Sequence, residues 1–186
     1  MGRSLRIQAS NTFYHIHNRG VAKQPIFLND TDRKIFLSLL GETAALFQLE
    51  VYAYCLMENH YHLFLRTFQP NLSKALWHFT HQYSRSFNFR HERIGPVFQG
   101  RFRSHIVDVD SYATTLLRYI HLNPVEANMV ESPEDYLWSS YPAYLGRMPV
   151  HTWLNQEWAL NLFDSAQDKE ARLKKFTLFH GQRCQA

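Results

Sequence analysis

The stretch LEVYAYCLMENHYHLFLRT, residues 49 to 67, reads as two apolar strands joined through Glu58 and Asn59. Asn beside a charged residue between two strand-like runs is a tight-turn candidate, so the runs are expected to form an antiparallel hairpin. On the second strand, residues i and i+2 share a face, so His60 and His62 project side by side while Tyr61 points away. Two adjacent imidazoles can chelate one divalent cation and leave coordination positions open for substrate oxygens. A lone His-x-His is a weak signal, however, and YHIH supplies a second pair, His15 and His17. Spacing alone does not choose between them.

Working outward from the hairpin, NTFYHIHNRG alternates and ends in Gly, which predicts a first strand from about Thr12 to Asn18. Between that strand and the hairpin, LNDTDRKIFLSLLGETAALFQ opens with Asn and Asp cap candidates. Ile35, Phe36, Leu39, Leu40 and Leu46 then follow close to helical spacing. After the hairpin, Leu72, Leu76, Phe79 and Tyr83 mark a second helix from Asn71 to about Phe89. GPVFQGRFRSHIVDV gives an irregular loop and then a strand to about Val107, and Asp110 is a cap candidate for a last helix that Pro124 stops. The order β-α-β-β-α-β-α is the split βαβ pattern of an α+β, ferredoxin-like (RRM-like) antiparallel sheet packed by helices, with one helix added.

Beyond Val125 the chain reads as loop-rich, followed by two short amphipathic helices, Gln156 to Phe163 and Asp168 to Phe179. Residues 1–149 are expected to form the main domain and 150–186 a small helical appendage. At 186 residues, with 45% apolar and 15% aromatic side chains, the chain can bury a core and is not of disordered composition. It has no apolar run of membrane-spanning length and no signal-peptide core, and its two cysteines, Cys55 and Cys184, lack CxxC spacing. A cytoplasmic protein with no membrane partner is expected.

The formal charge is +4, and the cations are unevenly placed. Arg85, Arg90, Arg93, Arg101 and Arg103 alternate with Tyr83, Phe87, Phe89, Phe98 and Phe102. Clustered Arg with interleaved rings is expected where a phosphate backbone is neutralised and bases stack, although a solvated helix followed by a packed strand reads the same way. On the last helix Tyr119 and Asn123 stand four residues apart and so share a face, a candidate nucleophile with a candidate amide ligand one turn on. The bland alternative is a core-covering tyrosine and a helix-end asparagine. His78, His81, His91, His105, His121, His151 and His180 are scattered and read as surface or satisfied core residues.

Taken in order, YHIHNRG, PIFLNDTDRKIF, AYCLMENHYHLFLRT, LSKALWHFTHQYSRSFNFRH, GPVFQGRFRSHIVD, YATTLLRYIHLNPVEANMV and DYLWSSYPAYLG resemble the REP-associated tyrosine transposases. These are relatives of the single-tyrosine insertion-sequence transposases in the HUH nuclease superfamily, and the resemblance spans about residues 12 to 146. It implies that His60 and His62 are the metal pair, Tyr119 the nucleophile and Asn123 the third ligand, where insertion-sequence relatives usually have Gln. His17 then becomes structural or DNA-facing. The implied cofactor is Mg²⁺ or Mn²⁺, with Zn²⁺ behind them. The implied partner is single-stranded DNA carrying REP-like hairpins; charge and aromatic placement then make Arg85, Arg90, Arg101, Arg103 and Arg118 candidate backbone contacts and Phe89, Phe98 or Phe102 candidate stacking rings. The family's Pro-Asn-His turn is here Glu58-Asn59-His60, which sets a carboxylate near the expected metal, and Tyr61 replaces an aliphatic residue between the histidines.

The resemblance leaves both a monomer and a homodimer open. Two rival readings are a non-catalytic nucleic-acid binder on the same fold, which needs no Tyr119, and a metal hydrolase acting through bound water.

Overall fold

Alternation on β1 (Thr12–Arg19) turns Tyr14 and Ile16 to one side of the sheet and His15 and His17 to the other. β1 lies between β3 (His60–Thr67) and β4 (Arg103–Ile106), and β2 (Leu49–Leu56) closes the other edge beyond β3. The sheet is antiparallel throughout in the order β2-β3-β1-β4, and the fold is α+β and ferredoxin-like, as the element order predicts. The computed structural model describes residues 8–164 and 168–181, so Cys184 lies outside the described residues.

α1 (Asp30–Phe47) and α2 (Leu72–Arg90) cover the first sheet face. α1 starts in a capping box: Asp32 N–H donates to the Asn29 side chain at 3.1 Å, and Asn29 N–H donates to the Asp32 carboxylate at 3.2 Å. Gln48, left-handed at φ 53°, ends the helix so that β2 begins at the next residue. Phe36 packs on Tyr61 and Phe79 with ring centroids 4.9 and 4.6 Å apart. Burying such a side chain contributes roughly 2–3 kcal/mol, and truncating it to Ala costs about 3–5 kcal/mol.

The second face is covered by α3 (Val109–Glu126), which packs over β2 and β3. Two details of α3 depart from expectation. Its N-cap is Asp108, whose side chain accepts from Asp110 N–H at 3.2 Å; Asp110 already lies inside the first turn. Pro124 also does not stop it. The proline sits buried in the last turn, where its missing N–H removes one bond, to the Ile120 carbonyl, and the helix runs on to Glu126.

A short helix α4 (Tyr141–Tyr144) leads to the C-terminal helices α5 (Gln156–Asn161) and α6 (Lys169–Gly181). α5 packs on β2, where Trp158 lies 4.0 Å from the Tyr52 ring, and α6 packs on α3 and α5. No helix among the described residues is long and apolar enough to cross a membrane.

Candidate active site

The β1–β3 register sets His17 opposite His62 and Arg19 opposite His60, while the β1–β4 register sets His15 opposite His105. The two His-x-His pairs therefore lie side by side on one sheet face. They form one cluster, with His15–His62, His17–His62 and His60–His62 ring centroids 5.2, 5.7 and 5.1 Å apart. His105 joins it, stacked nearly parallel on His17 at 5.6 Å, although it reads as an isolated residue in the sequence. The available signal is a His on each of three strands, which becomes informative only once pairing and register are known.

α3 brings Tyr119 over this cluster. Its ring stands edge-on to His62 at 5.4 Å and to His15 at 5.9 Å, all within one chain. Tyr119 is 38% exposed, so a substrate can reach it. One turn further on, the Asn123 side chain hydrogen-bonds His60. The structure thus brings His60, His62, Tyr119 and Asn123 together.

Each histidine of the pair uses one ring nitrogen on a neighbour. His60 Nδ1 lies 2.7 Å from Asn59 Oδ1, and His62 Nδ1 lies 2.9 Å from His15 Nε2. With Nδ1 donating in both, the Nε2 lone pair of His62 is free, while His60 keeps a further hydrogen bond to the Asn123 side chain; a second shell orients histidines in this way where they bind metal. Burial pushes His62 down to about 2, with the neighbouring histidines adding to it, and also lowers His60. Both rings are accordingly neutral, as ligands must be. Two imidazoles and an amide oxygen suit a hard to borderline divalent cation. Among the described residues, no group of three or more His, Cys, Asp and Glu side chains could hold a metal ion, so Glu58 belongs to no such group.

The cationic and aromatic candidates separate in space. Arg101 and Arg103 line a cavity beside His60. Arg85 and Phe89 are exposed on α2, the helix that covers the opposite sheet face. Arg90 is committed to Asp32 at 3.2 Å, and Arg118 lies over the Phe179 ring of α6 at 5.7 Å. Phe98 and Phe102, 8% and 5% exposed, belong to the core and present no open face to a base. An aromatic beside arginines reads alike as a stacking platform or as core, and only burial separates the two.

Residues 8–123, more than half of the chain, match the family described as Transposase IS200 like. A Haemophilus influenzae protein assigned as a REP-associated tyrosine transposase is 28% identical over 117 residues, which covers 57% of this chain and 66% of the relative. Among solved structures, a REP-associated tyrosine transposase bound to a REP hairpin superposes with a TM-score of 0.68 at 14% identity. That match covers 83% of this chain and 98% of the other.

Proposed function

The chain belongs to the IS200-like transposase family, and from that premise we propose that it cuts and rejoins single-stranded DNA next to REP-like hairpins through a covalent phosphotyrosine. The carrying observation is Tyr119 seated edge-on against His62 while Asn123, one turn on, hydrogen-bonds His60. Hairpin DNA as the partner is supported by the relatives, one of which was solved bound to a REP hairpin.

His60 and His62, through Nε2, and the Asn123 amide oxygen would hold Mg²⁺ or Mn²⁺. When bound, the cation supplies Lewis-acid polarisation of the scissile phosphate and neutralises its growing charge. The Tyr119 oxygen attacks phosphorus in line, its proton is lost, and the P–O3′ bond breaks. The 3′ oxygen leaves with a proton as a free hydroxyl, and the 5′ phosphate stays on Tyr119. Because the bond is stored rather than hydrolysed, a 3′ hydroxyl can attack the phosphotyrosine and reseal the strand. Asn59 and His15 keep the two imidazoles aimed during these steps. Residues 1–149 carry this chemistry in a single copy, and α6 of the C-terminal appendage packs against α3.

The test is incubation of labelled hairpins from DNA flanking the gene with Mg²⁺ or Mn²⁺, comparing the parent protein with Tyr119→Phe on a denaturing gel. A metal-dependent, protease-sensitive adduct lost in Tyr119→Phe supports the reading. Cutting that persists in the variant points to metal-activated water, and binding with no cutting at all points to a binding module.

A further inference from the structure

A cavity of about 490 Å³ opens beside His60, between the end of β1, the 57–59 connection and the loop leading into β4. That volume falls within the ~300–1,000 Å³ of ordinary ligand sites. Four cations line it, Arg19, Lys23, Arg101 and Arg103, and no Asp or Glu does. Among the described residues, neither Arg101 nor Arg103 has an acidic partner.

The walls are held by main-chain hydrogen bonds rather than by loose loops. Gly20 N–H donates to the Asn59 carbonyl at 2.8 Å, Gln99 N–H to the Arg19 carbonyl at 2.9 Å, and Val21 N–H to the Val97 carbonyl at 3.0 Å. Gly20 is required there, because a Cβ would run into the Gln24 carbonyl. Ala22 and Lys23 are both left-handed, at φ 50° and 60°, a conformation that non-glycine residues seldom take. Asn59 Nδ2 secures the turn by donating to the Lys23 carbonyl at 3.2 Å. Strained backbone of this kind concentrates where a side chain must be aimed at a ligand.

Cations without acidic partners around a concave polar site select a phosphate-bearing ligand. The Gln99 amide, whose oxygen accepts from Arg19 Nε, turns its NH₂ to the cavity as a donor for a base edge. The His17 ring and the Arg19 guanidinium offer flat surfaces for stacking. Since His60 lines the same cavity, a ligand here is continuous with whatever sits at the histidine pair.

We propose that this cavity is a nucleotide subsite: it takes the nucleotide adjoining the cleaved phosphodiester, holds that nucleotide's outer phosphate with Arg101 and Arg103, and reads its base edge with Gln99. The proposal rests on the strand-cutting reading above and names the part of the substrate that selects where the cut falls.

The test uses Tyr119→Phe protein, Ca²⁺ and fluorescent single strands from the hairpin flank, with each position replaced in turn by an abasic sugar. One position is expected to stand out with an affinity loss of about tenfold. In protein that also carries Gln99→Ala, with an unchanged melting temperature, that peak is expected to fall to the level of its neighbours. Arg101→Ala is expected to weaken intact and abasic strands alike and to lower the salt slope by about one. A flat scan, or a peak untouched by Gln99→Ala, overturns the proposal. So does a free deoxynucleoside monophosphate that competes as tightly as the strand, which would make this a site for free nucleotides. A localised peak without any Tyr119 adduct removes the cutting reading and keeps the subsite, whereas an adduct with a flat scan removes the subsite alone.

Discussion

His15 Nε2 on β1 stands 2.9 Å from His62 Nδ1 on β3. Burial holds both rings neutral, with His15 lowered to about 4 and His62 to about 2. When His62 Nδ1–H donates to His15, Nε2 of His62 is left bare, as a ligand needs. His15→Phe removes that acceptor and frees the ring to rotate or change tautomer. Calorimetry on DNA-free protein should show Mn²⁺ binding weakened by about 10–100-fold, and His15→Gln, which can still accept, should recover part of it. Equal Mn²⁺ affinity in His15→Phe would remove His15 from any orienting role.

A second histidine pair lies behind α3 and is wholly structural. Tyr54 N–H donates to Ser140 Oγ at 3.0 Å, Ser140 O–H to His121 Nε2 at 2.8 Å, His121 Nδ1–H to His180 Nε2 at 3.0 Å, and His180 Nδ1–H to the Phe176 carbonyl at 2.8 Å. Ser140 Oγ also lies 3.3 Å from the Tyr54 carbonyl, and with the bonds directed as above a proton added to His180 Nε2 sets two N–H donors against each other between His121 and His180. Burial lowers His180 to about 4 and His121 well below its ordinary value. A folded value below the unfolded one of about 6.5 means that the unfolded chain takes up protons first. Stability is therefore complete above pH 6.5 and is lost as pH falls toward 4, by roughly 3 kcal/mol for His180 alone. Urea melts between pH 7.5 and 4.5 should show this slope in the parent and a flatter one in His180→Gln, from a lower start at pH 7.5. Parallel slopes would mean the pair does not titrate with unfolding.

Strand and helix order was legible because alternation and four-residue spacing are local properties, and so were the His60–His62 pair and the Tyr119–Asn123 turn. What stayed hidden depends on contacts distant in sequence. His17 meets His62 only through the β1–β3 register, and His105 only through β4. Arg90 finds Asp32, 58 residues away. Phe102 precedes a four-residue strand, too short for periodicity to tell a buried ring from an exposed one.

The Asp32–Arg90 contact carries a prediction of its own. Asp32 is 1% exposed and receives Leu28 N–H at 2.9 Å, His91 Nε2 at 2.9 Å and Arg90 Nε at 3.2 Å. Burial raises its carboxyl, but the His91 and Leu28 bonds and then Arg90 outweigh that and hold it below the usual range. Removing Asp32 strands these donors and undoes the α1 capping box, so Asp32→Ala should cost about 3–5 kcal/mol in chemical denaturation. Arg90→Ala should lower stability by a smaller amount and leave affinity for a short single strand unchanged. A loss of strand affinity at equal stability would return Arg90 to the DNA surface.

Arg101 and Arg85 belong to one basic run in the sequence but to opposite sides of the sheet in the fold. On a strand that spans only the cleavage site, Arg101→Ala together with Arg103→Ala should reduce the slope of log affinity against log salt by about one to two. Arg85→Ala should leave that slope unchanged, because a short strand at the histidine face does not reach the outer side of α2. With a full hairpin the two surfaces can be separated. If Arg85→Ala or Phe89→Ala weakens the hairpin but not the short strand, the duplex wraps onto the α1–α2 face. If neither does, all measurable phosphate contact lies on the side of Tyr119. Anisotropy titrations at several salt concentrations on both substrates distinguish these outcomes, and an equal effect of Arg85→Ala on both would contradict the separation of the two faces.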